Sequence, residues 1–178
     1  VLVDHAKSWA AANGLYYVAR SRLAFDSLRE RYGARTFWLV TGQGLRYINE
    51  GNKEMFFHPS TALVRLKRLE KGEQDVLLQL AKVRNGDHIL DCTAGLGSDA
   101  LVFAHAVGSE GSVTALESQY VPYTLLFEGL QHYGAELEAL RVAMKRIEVH
   151  FREHYEYLCE QPDQSADIVY FDPMFRRP

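Results

Sequence analysis

Cysteine is scarce in this chain: 178 residues contain two, Cys92 and Cys159. Their spacing fits neither a metal knuckle nor a C-x-x-C redox pair, which sets aside disulfide frameworks, zinc ribbons and thioredoxin-type chemistry. No apolar run approaches the ~20 residues that a membrane-spanning helix needs, and the sequence shows no secretory signal pattern. A reducing cytoplasm is the expected setting. The chain opens on Val1 rather than Met, which leaves room for a preceding segment. Repeats and low-complexity tracts are absent, so neither a solenoid nor a disordered array is indicated. Strong charge of one sign is also lacking: the formal net charge is −3, not that of an evident nucleic-acid binder.

What is present is a chain with 47% hydrophobic residues, enough for one core and a small appended unit. Its charge is unevenly distributed. Residues 1–80 carry 12 Lys/Arg against 8 Asp/Glu, and residues 81–178 carry 8 against 15. Such asymmetry can mark a patch for a polyanion, although on charge alone an ordinary solvated surface is the favoured reading.

Residues 1–58 read as a small α/β unit. Helical apolar spacing covers 2–13 and 21–32, with Gly14 and Gly33 at C-cap positions. Strands are expected over Phe37 to Val40 and Leu45 to Ile48, around Thr41-Gly-Gln-Gly44, with a third near Met55 to Phe57. His58-Pro-Ser60 breaks the pattern. Residues 59–72 form a basic connecting segment with Arg65, Lys67, Arg68 and Lys71. Residues 73–178 alternate strands (near 88–92, 112–117, 145–151 and 167–171) with helices (near 73–83, 98–107, 120–133 and 152–160). This pattern predicts a parallel sheet with helices on both faces. The fourth strand is apolar enough for an interior position, so the natural protein is expected to continue beyond Pro178 and supply further strands.

Ile89-Leu-Asp-Cys-Thr-Ala-Gly-Leu-Gly-Ser-Asp99 carries the strongest functional signal. An apolar strand ends in an acid, a Gly-rich turn follows, and a helix begins behind it. Gly95 and Gly97 permit a sharp turn and close approach of a ligand, and the helix N-terminus offers unpaired N–H groups. Gly95-Leu-Gly97-Ser-Asp-Ala100 satisfies G-x-G-x-x-A, and Glu117 lies twenty residues after Gly97, where a carboxylate accepts hydrogen bonds from ribose hydroxyls. An S-adenosylmethionine (SAM) site uses the same geometry plus an acid near the end of the first strand. Asp91 supplies it, placed to face the methionine amino group. A nicotinamide-dependent oxidoreductase would need the loop and Glu117 but gives Asp91 no task.

Asp172-Pro-Met-Phe175 follows the fourth strand, at the edge where open α/β sheets bind ligands. It is similar to the Asp/Asn-Pro-Pro-Tyr/Phe motif of methyltransferases acting on exocyclic amines, with Met174 in place of the second proline. The lone pair of such an amine is delocalised into its ring. Asp172 and the Pro173 carbonyl would accept its two N–H hydrogens, and Phe175 would stack on the base. His150-Phe-Arg-Glu-His154 fits the inverted zinc-protease pattern H-x-x-E-H, but alternation at Ile147, Val149 and Phe151 makes His150 a strand residue, so no metal is expected. Glu153 stands where an adenine amino group is often contacted; a solvated carboxylate opening a helix is the equal alternative. Tyr16, Tyr17, Phe37 and Trp38 read as core rather than as a base-stacking platform.

Together, His88-to-Ala100, Ala115-Leu-Glu117 and Tyr170-to-Phe175 resemble the bacterial SAM-dependent methyltransferases related to the small-subunit ribosomal RNA guanine-N2 methyltransferase. Phe56-Phe-His-Pro-Ser60 and Arg65 to Gly72 are similar to a Gram-positive branch of that family. The resemblance implies a Rossmann-like class I methyltransferase sheet of order 3-2-1-4, SAM as cofactor and an RNA substrate, with no membrane partner. By position it implies that Asp91, Thr93, Gly95, Gly97, Asp99 and Glu117 serve the cofactor, and Asp172 and Pro173 the target amine. Read from the residues alone, His58 and the basic stretch Arg65 to Lys71 could contact substrate phosphates, with ordinary surface charge the equal alternative. Oligomeric state stays open, a homodimer included. A non-catalytic RNA- or protein-binding module with a relic pocket is the remaining alternative.

Overall fold

The computed structural model describes residues 1–20 and 22–173. Two compact units divide the chain, Val1–Phe57 and His58–Pro178.

In the first unit, helices α1 (Leu2–Ala12) and α2 (Phe25–Tyr32) precede an antiparallel sheet of β1 (Phe37–Thr41), β2 (Gly44–Ile48) and β3 (Glu54–Phe56), in that spatial order. Register pairs Thr41 with Gly44 across a two-residue turn. The Thr41 hydroxyl locks this turn by donating to the Gly44 carbonyl at 2.8 Å and accepting from the Gln43 N–H. Gly33 ends α2 in the left-handed conformation, as its C-cap position predicts. Trp9, Ala10, Leu28 and Ile48 are buried. The segment between the helices behaves differently from expectation. Tyr16 is 98% exposed and Tyr17 is also exposed, because residues 15–20 belong to no helix or strand that could turn an apolar face inward.

The second unit holds α3 (Ser60–Glu70), α4 (Val76–Ala81), β4 (His88–Asp91), α5 (Ser98–Ala106), β5 (Ser112–Glu117), α6 (Tyr120–His132), α7 (Glu138–Met144), β6 (Ile147–Phe151), α8 (His154–Glu160) and β7 (Ile168–Tyr170). Its sheet order is β6-β5-β4-β7 with every pairing parallel. Counted within the sheet this is the expected 3-2-1-4. The register Ile89–Val113 and Ile89–Ile168 brings the carboxyl ends of β4, β5 and β7 to one edge. Helix α5 is buried from Ala100 to Ala104 and packs against α3 and α7. On the sheet face carrying Leu90, Cys92 and Leu116, α8 contributes Tyr157 and Leu158.

Two expectations need correction. Residues 59–72 are not a bare connection: most of them form α3, whose Ala62 and Leu66 are buried, leaving Lys67, Arg68 and Lys71 exposed. Helix α7 was not anticipated either. Its buried Leu140, Ala143 and Met144 recur at helical spacing over only two turns. Among the described residues, no helix is long and apolar enough to cross a membrane.

Candidate active site

The site is built at the carboxyl edge of β4. Asp91, the last residue of that strand, is 1% exposed, and one carboxylate oxygen accepts the Thr93 N–H at 3.0 Å. Burial pushes its carboxyl up to about 7; the Thr93 hydrogen bond opposes this, and the negative charges of Asp99, Asp172 and Glu117 add to it. Backbone bonds from Cys92 to the Tyr170 carbonyl (2.9 Å) and from Ala94 to the Leu116 carbonyl (3.0 Å) continue the sheet into the loop. The loop then turns at Gly95 (φ +54°) and Gly97 (φ +79°), both in the region that favours glycine. A Cβ on Gly97 would lie 2.6 Å from the Leu126 side chain, whereas one on Gly95 would meet nothing within 4 Å. Gly97 is thus fixed by helix packing, and Gly95 faces open space. Gly97 is the N-cap of α5 and no side-chain cap bond is made there among the described residues, which leaves the first N–H groups of the helix uncapped.

Glu117 ends β5 and reaches back over the loop. Its two oxygens accept from the Gly95 N–H at 3.0 Å and the Gln119 N–H at 2.7 Å. Each oxygen keeps a second lone-pair direction. The arrangement fits an adenosyl cofactor: an acid ending β5 for a diol, uncapped N–H groups, an open glycine, and a buried acid for an ammonium.

The Asp172-Pro173 pair meets the same loop. The Asp172 N–H donates to the Thr93 hydroxyl at 2.7 Å, joining the turn after β4 to the segment after β7. Pro173 is exposed there. Phe175 and Met174 lie outside the described residues. The neighbouring Phe171, not singled out from the sequence, is exposed and meets His154 edge-on at 5.2 Å.

Asp99 is placed differently from expectation. Its carboxylate binds Arg65 at 2.5 Å and the Tyr170 hydroxyl at 3.0 Å, so it ties α5 to α3 and β7. Arg65 in turn grips Asp75 with two bonds, at 2.7 and 2.8 Å. Asp75 also caps α4 by accepting from Leu77 and Leu78. Arg65 therefore does not join a phosphate-binding stripe. Its two carboxylates hold its pKa above the ordinary arginine value, and Arg65 holds Asp75 below its own. Sequence alone hides this network because its members lie 10, 34 and 71 residues apart.

Glu153 caps α8, accepting from Tyr155 at 2.7 Å and Glu156 at 3.3 Å, and its other oxygen meets His154. Of its two readings, the helix-opening carboxylate describes what it touches. His150 lies in β6 and His154 opens α8, so the two share no helical turn. Burial raises the Cys92 thiol to about 11, with Asp91 and Glu153 adding to the effect, which removes it as a nucleophile.

A parallel sheet of this order, with a Gly-x-Gly turn after its first strand and acids ending its first two strands, fits the Rossmann-like class I methyltransferases. Residues 42–177 match the family described as "Putative SAM-dependent methyltransferase", and the chain belongs to that family. The uncharacterized Bacillus subtilis protein YpiP is 42% identical over 146 residues, covering 82% of this chain and 54% of YpiP. Ribosomal RNA small subunit methyltransferase J of Psychrobacter cryohalolentis is 32% identical over 186 residues, covering 97% of this chain and 62% of its own length. The crystal structure of a SAM-dependent methyltransferase from Neisseria gonorrhoeae superposes with a TM-score of 0.60 at 25% identity, covering 79% of this chain and 57% of that one. The chain thus spans between half and two thirds of the length of these relatives. Family membership sets the nicotinamide alternative aside.

Proposed function

We propose that this protein transfers a methyl group from SAM to an exocyclic amino group of an RNA base, with guanine N2 of ribosomal RNA as the favoured target. The observation that carries the reading is the 2.7 Å bond from the Asp172 N–H to the Thr93 hydroxyl. This bond holds Asp172 and Pro173 against the turn that carries Gly95 and Gly97, which supports transfer between two ligands in one crevice. The relatives named ribosomal RNA small subunit methyltransferase J support the substrate class.

Bound SAM would supply a methyl group already activated by its sulfonium. The protein's part is then binding and orientation. Asp91 meets the ammonium of the methionine moiety, Glu117 the ribose diol, and the uncapped start of α5 the remaining acceptors. On the substrate side, Asp172 and the Pro173 carbonyl accept the two N–H bonds of the amine. This turns the nitrogen lone pair toward the methyl carbon. The Asp172 carboxylate is also placed to take up the proton that the amine must release and to pass it to water. A base in structured RNA must leave its stack to reach this edge.

The test incubates the full-length protein with SAM and ribosomal RNA from cells lacking its gene, then locates new methyl groups by mass spectrometry. Methylation of one guanine N2, abolished by Asp172→Ala with S-adenosylhomocysteine affinity held within a few-fold, is the expected result. Methyl groups appearing only on protein or metabolites would overturn the RNA assignment.

A further inference from the structure

Strand β6 is the outer strand of the parallel sheet, with β5 on one side and no further strand on the other among the described residues. The Val113 N–H of β5 donates to the Arg146 carbonyl at 3.0 Å. Backbone groups alternate sides along a strand, so the even-numbered residues of β6 turn theirs to β5. Ile147, Val149 and Phe151 then turn their N–H and C=O groups outward. The strand keeps register with β5 from Ile147 to Phe151 without a bulge. Ile147-Glu-Val-His-Phe151 contains neither Pro nor Lys, two residues that blunt such edges.

This edge is complementary to itself. From either end it reads apolar, polar, apolar, polar, apolar, with an acid and an imidazole placed evenly about Val149. Laid antiparallel against a second copy about Val149, Ile147 faces Phe151, Val149 faces Val149 and Glu148 faces His150. The outward residues exchange both backbone bonds of each pair, and Glu148 and His150 fall where opposed side chains come closest. Within one chain these two already meet at 3.2 Å, with the Glu148 side chain 76% exposed. A second copy completes a ring of alternating acid and imidazole. A slip of two residues would set Glu148 against Glu148 or His150 against His150, so charge fixes the register. The same register opposes Arg146 to Arg152, but both are engaged elsewhere. Arg146 donates to the Ala104 carbonyl at 3.0 Å, and Arg152 to Glu160 at 2.7 Å. Beside the edge stands apolar surface for a partner to bury. Phe151 is 48% exposed, Tyr120 and Phe127 are exposed too, and Tyr123 links them with ring centres 5.2 Å from Phe151 and 5.9 Å from Phe127.

We propose that two copies of this chain join through β6, antiparallel about Val149, so that their two four-stranded sheets become one. The inference rests on this strand and is independent of the methyl-transfer reading.

Sedimentation velocity of the full chain over a range of concentrations is the test, and a reversible monomer–dimer equilibrium is expected. Val149→Pro removes an outward N–H and spares the ladder to β5. His150→Glu sets carboxylate against carboxylate. Each should raise the dimer Kd about tenfold or more, since symmetry counts every change twice, with the circular dichroism spectrum unchanged. Adding Glu148→Lys to His150→Glu restores opposed charges and should bring Kd back toward the parent's. The proposal is overturned if the parent is a monomer throughout, if the dimer survives both single variants, or if the double variant associates no better than His150→Glu. Slow hydrogen exchange at the Val149 and Phe151 N–H groups in the dilute monomer would also overturn it, because the edge would then be covered by another part of the chain.

Discussion

The role proposed for Asp91 predicts a pH dependence of cofactor binding, with a size set by its surroundings. Its carboxyl is almost fully buried and is pushed up to about 7 by that burial. An ammonium partner needs the ionised form. A group of this pKa is ~90% ionised at pH 8, about half at pH 7 and ~9% at pH 6. The dissociation constant for S-adenosylhomocysteine should therefore weaken about tenfold from pH 8 to pH 6, or ~1.4 kcal/mol. Calorimetry in paired buffers of different ionisation enthalpy should find about one proton released per ligand bound at pH 6, falling toward zero at pH 8. Asp91→Asn should bind weakly and without this slope. Stability runs the opposite way. A carboxyl raised in the folded state keeps stability full below its unfolded value of 3.8 and loses it as pH rises through 7. Asp91→Asn, which still accepts the Thr93 N–H, should thus be more stable than the parent at pH 8. An affinity constant that stays within twofold across this range, without proton release, would refute the assignment of Asp91 to the ammonium.

Three further outcomes can be checked directly. Arg65→Met leaves Asp75 and Asp99 without their cation; at side-chain exposures of 12% and 27% the loss should be about 2–3 kcal/mol in urea unfolding at pH 7, below the ~3–5 of a fully buried pair. Because Asp75 is held below its ordinary value in the fold, that stabilisation is present above pH 3.8 and fades as pH falls further, so the gap between variant and parent should close in acid; a gap constant down to pH 3 would contradict the network. Glu117→Ala removes the acceptor of the Gly95 N–H and should weaken S-adenosylhomocysteine by about 1–3 kcal/mol, which calorimetry reads; unchanged affinity would take Glu117 out of the site. Thr93→Val deletes the acceptor of the Asp172 N–H and should lower kcat at least tenfold with the fold intact, and a parental kcat would show that this bond positions nothing.

The geometry of the turn after β4 was legible because its determinants are local. Asp91, Gly95 and Gly97 fall within seven residues, and Glu117 sits one crossover later, so strand-turn-helix patterning fixes their relation. The sheet order followed from the same alternation together with the resemblance. Distant partners were not legible. Nothing near Asp99 announces Arg65 or Tyr170, and an Arg two and three residues from Lys67 and Arg68 reads as surface until folding brings Asp75 against it. Helix α7 escaped because seven residues give too short a period to stand out. Tyr16 and Tyr17 misled for another reason: aromatic content predicts burial only where a helix or strand supplies an inward face, and residues 15–20 supply none.

The single hydroxyl of Thr93 gives the two halves of the crevice a shared fate. Any ligand that stiffens the turn after β4 also holds the segment carrying Asp172 through the bond between them. Linkage makes that influence mutual: whatever the cofactor contributes to grip on the amine, the docked amine returns, in equal free energy, as grip on the cofactor. Under the proposed function, a nucleic acid docked at Asp172 would therefore slow departure of the spent cofactor, and the order of departure would pace turnover.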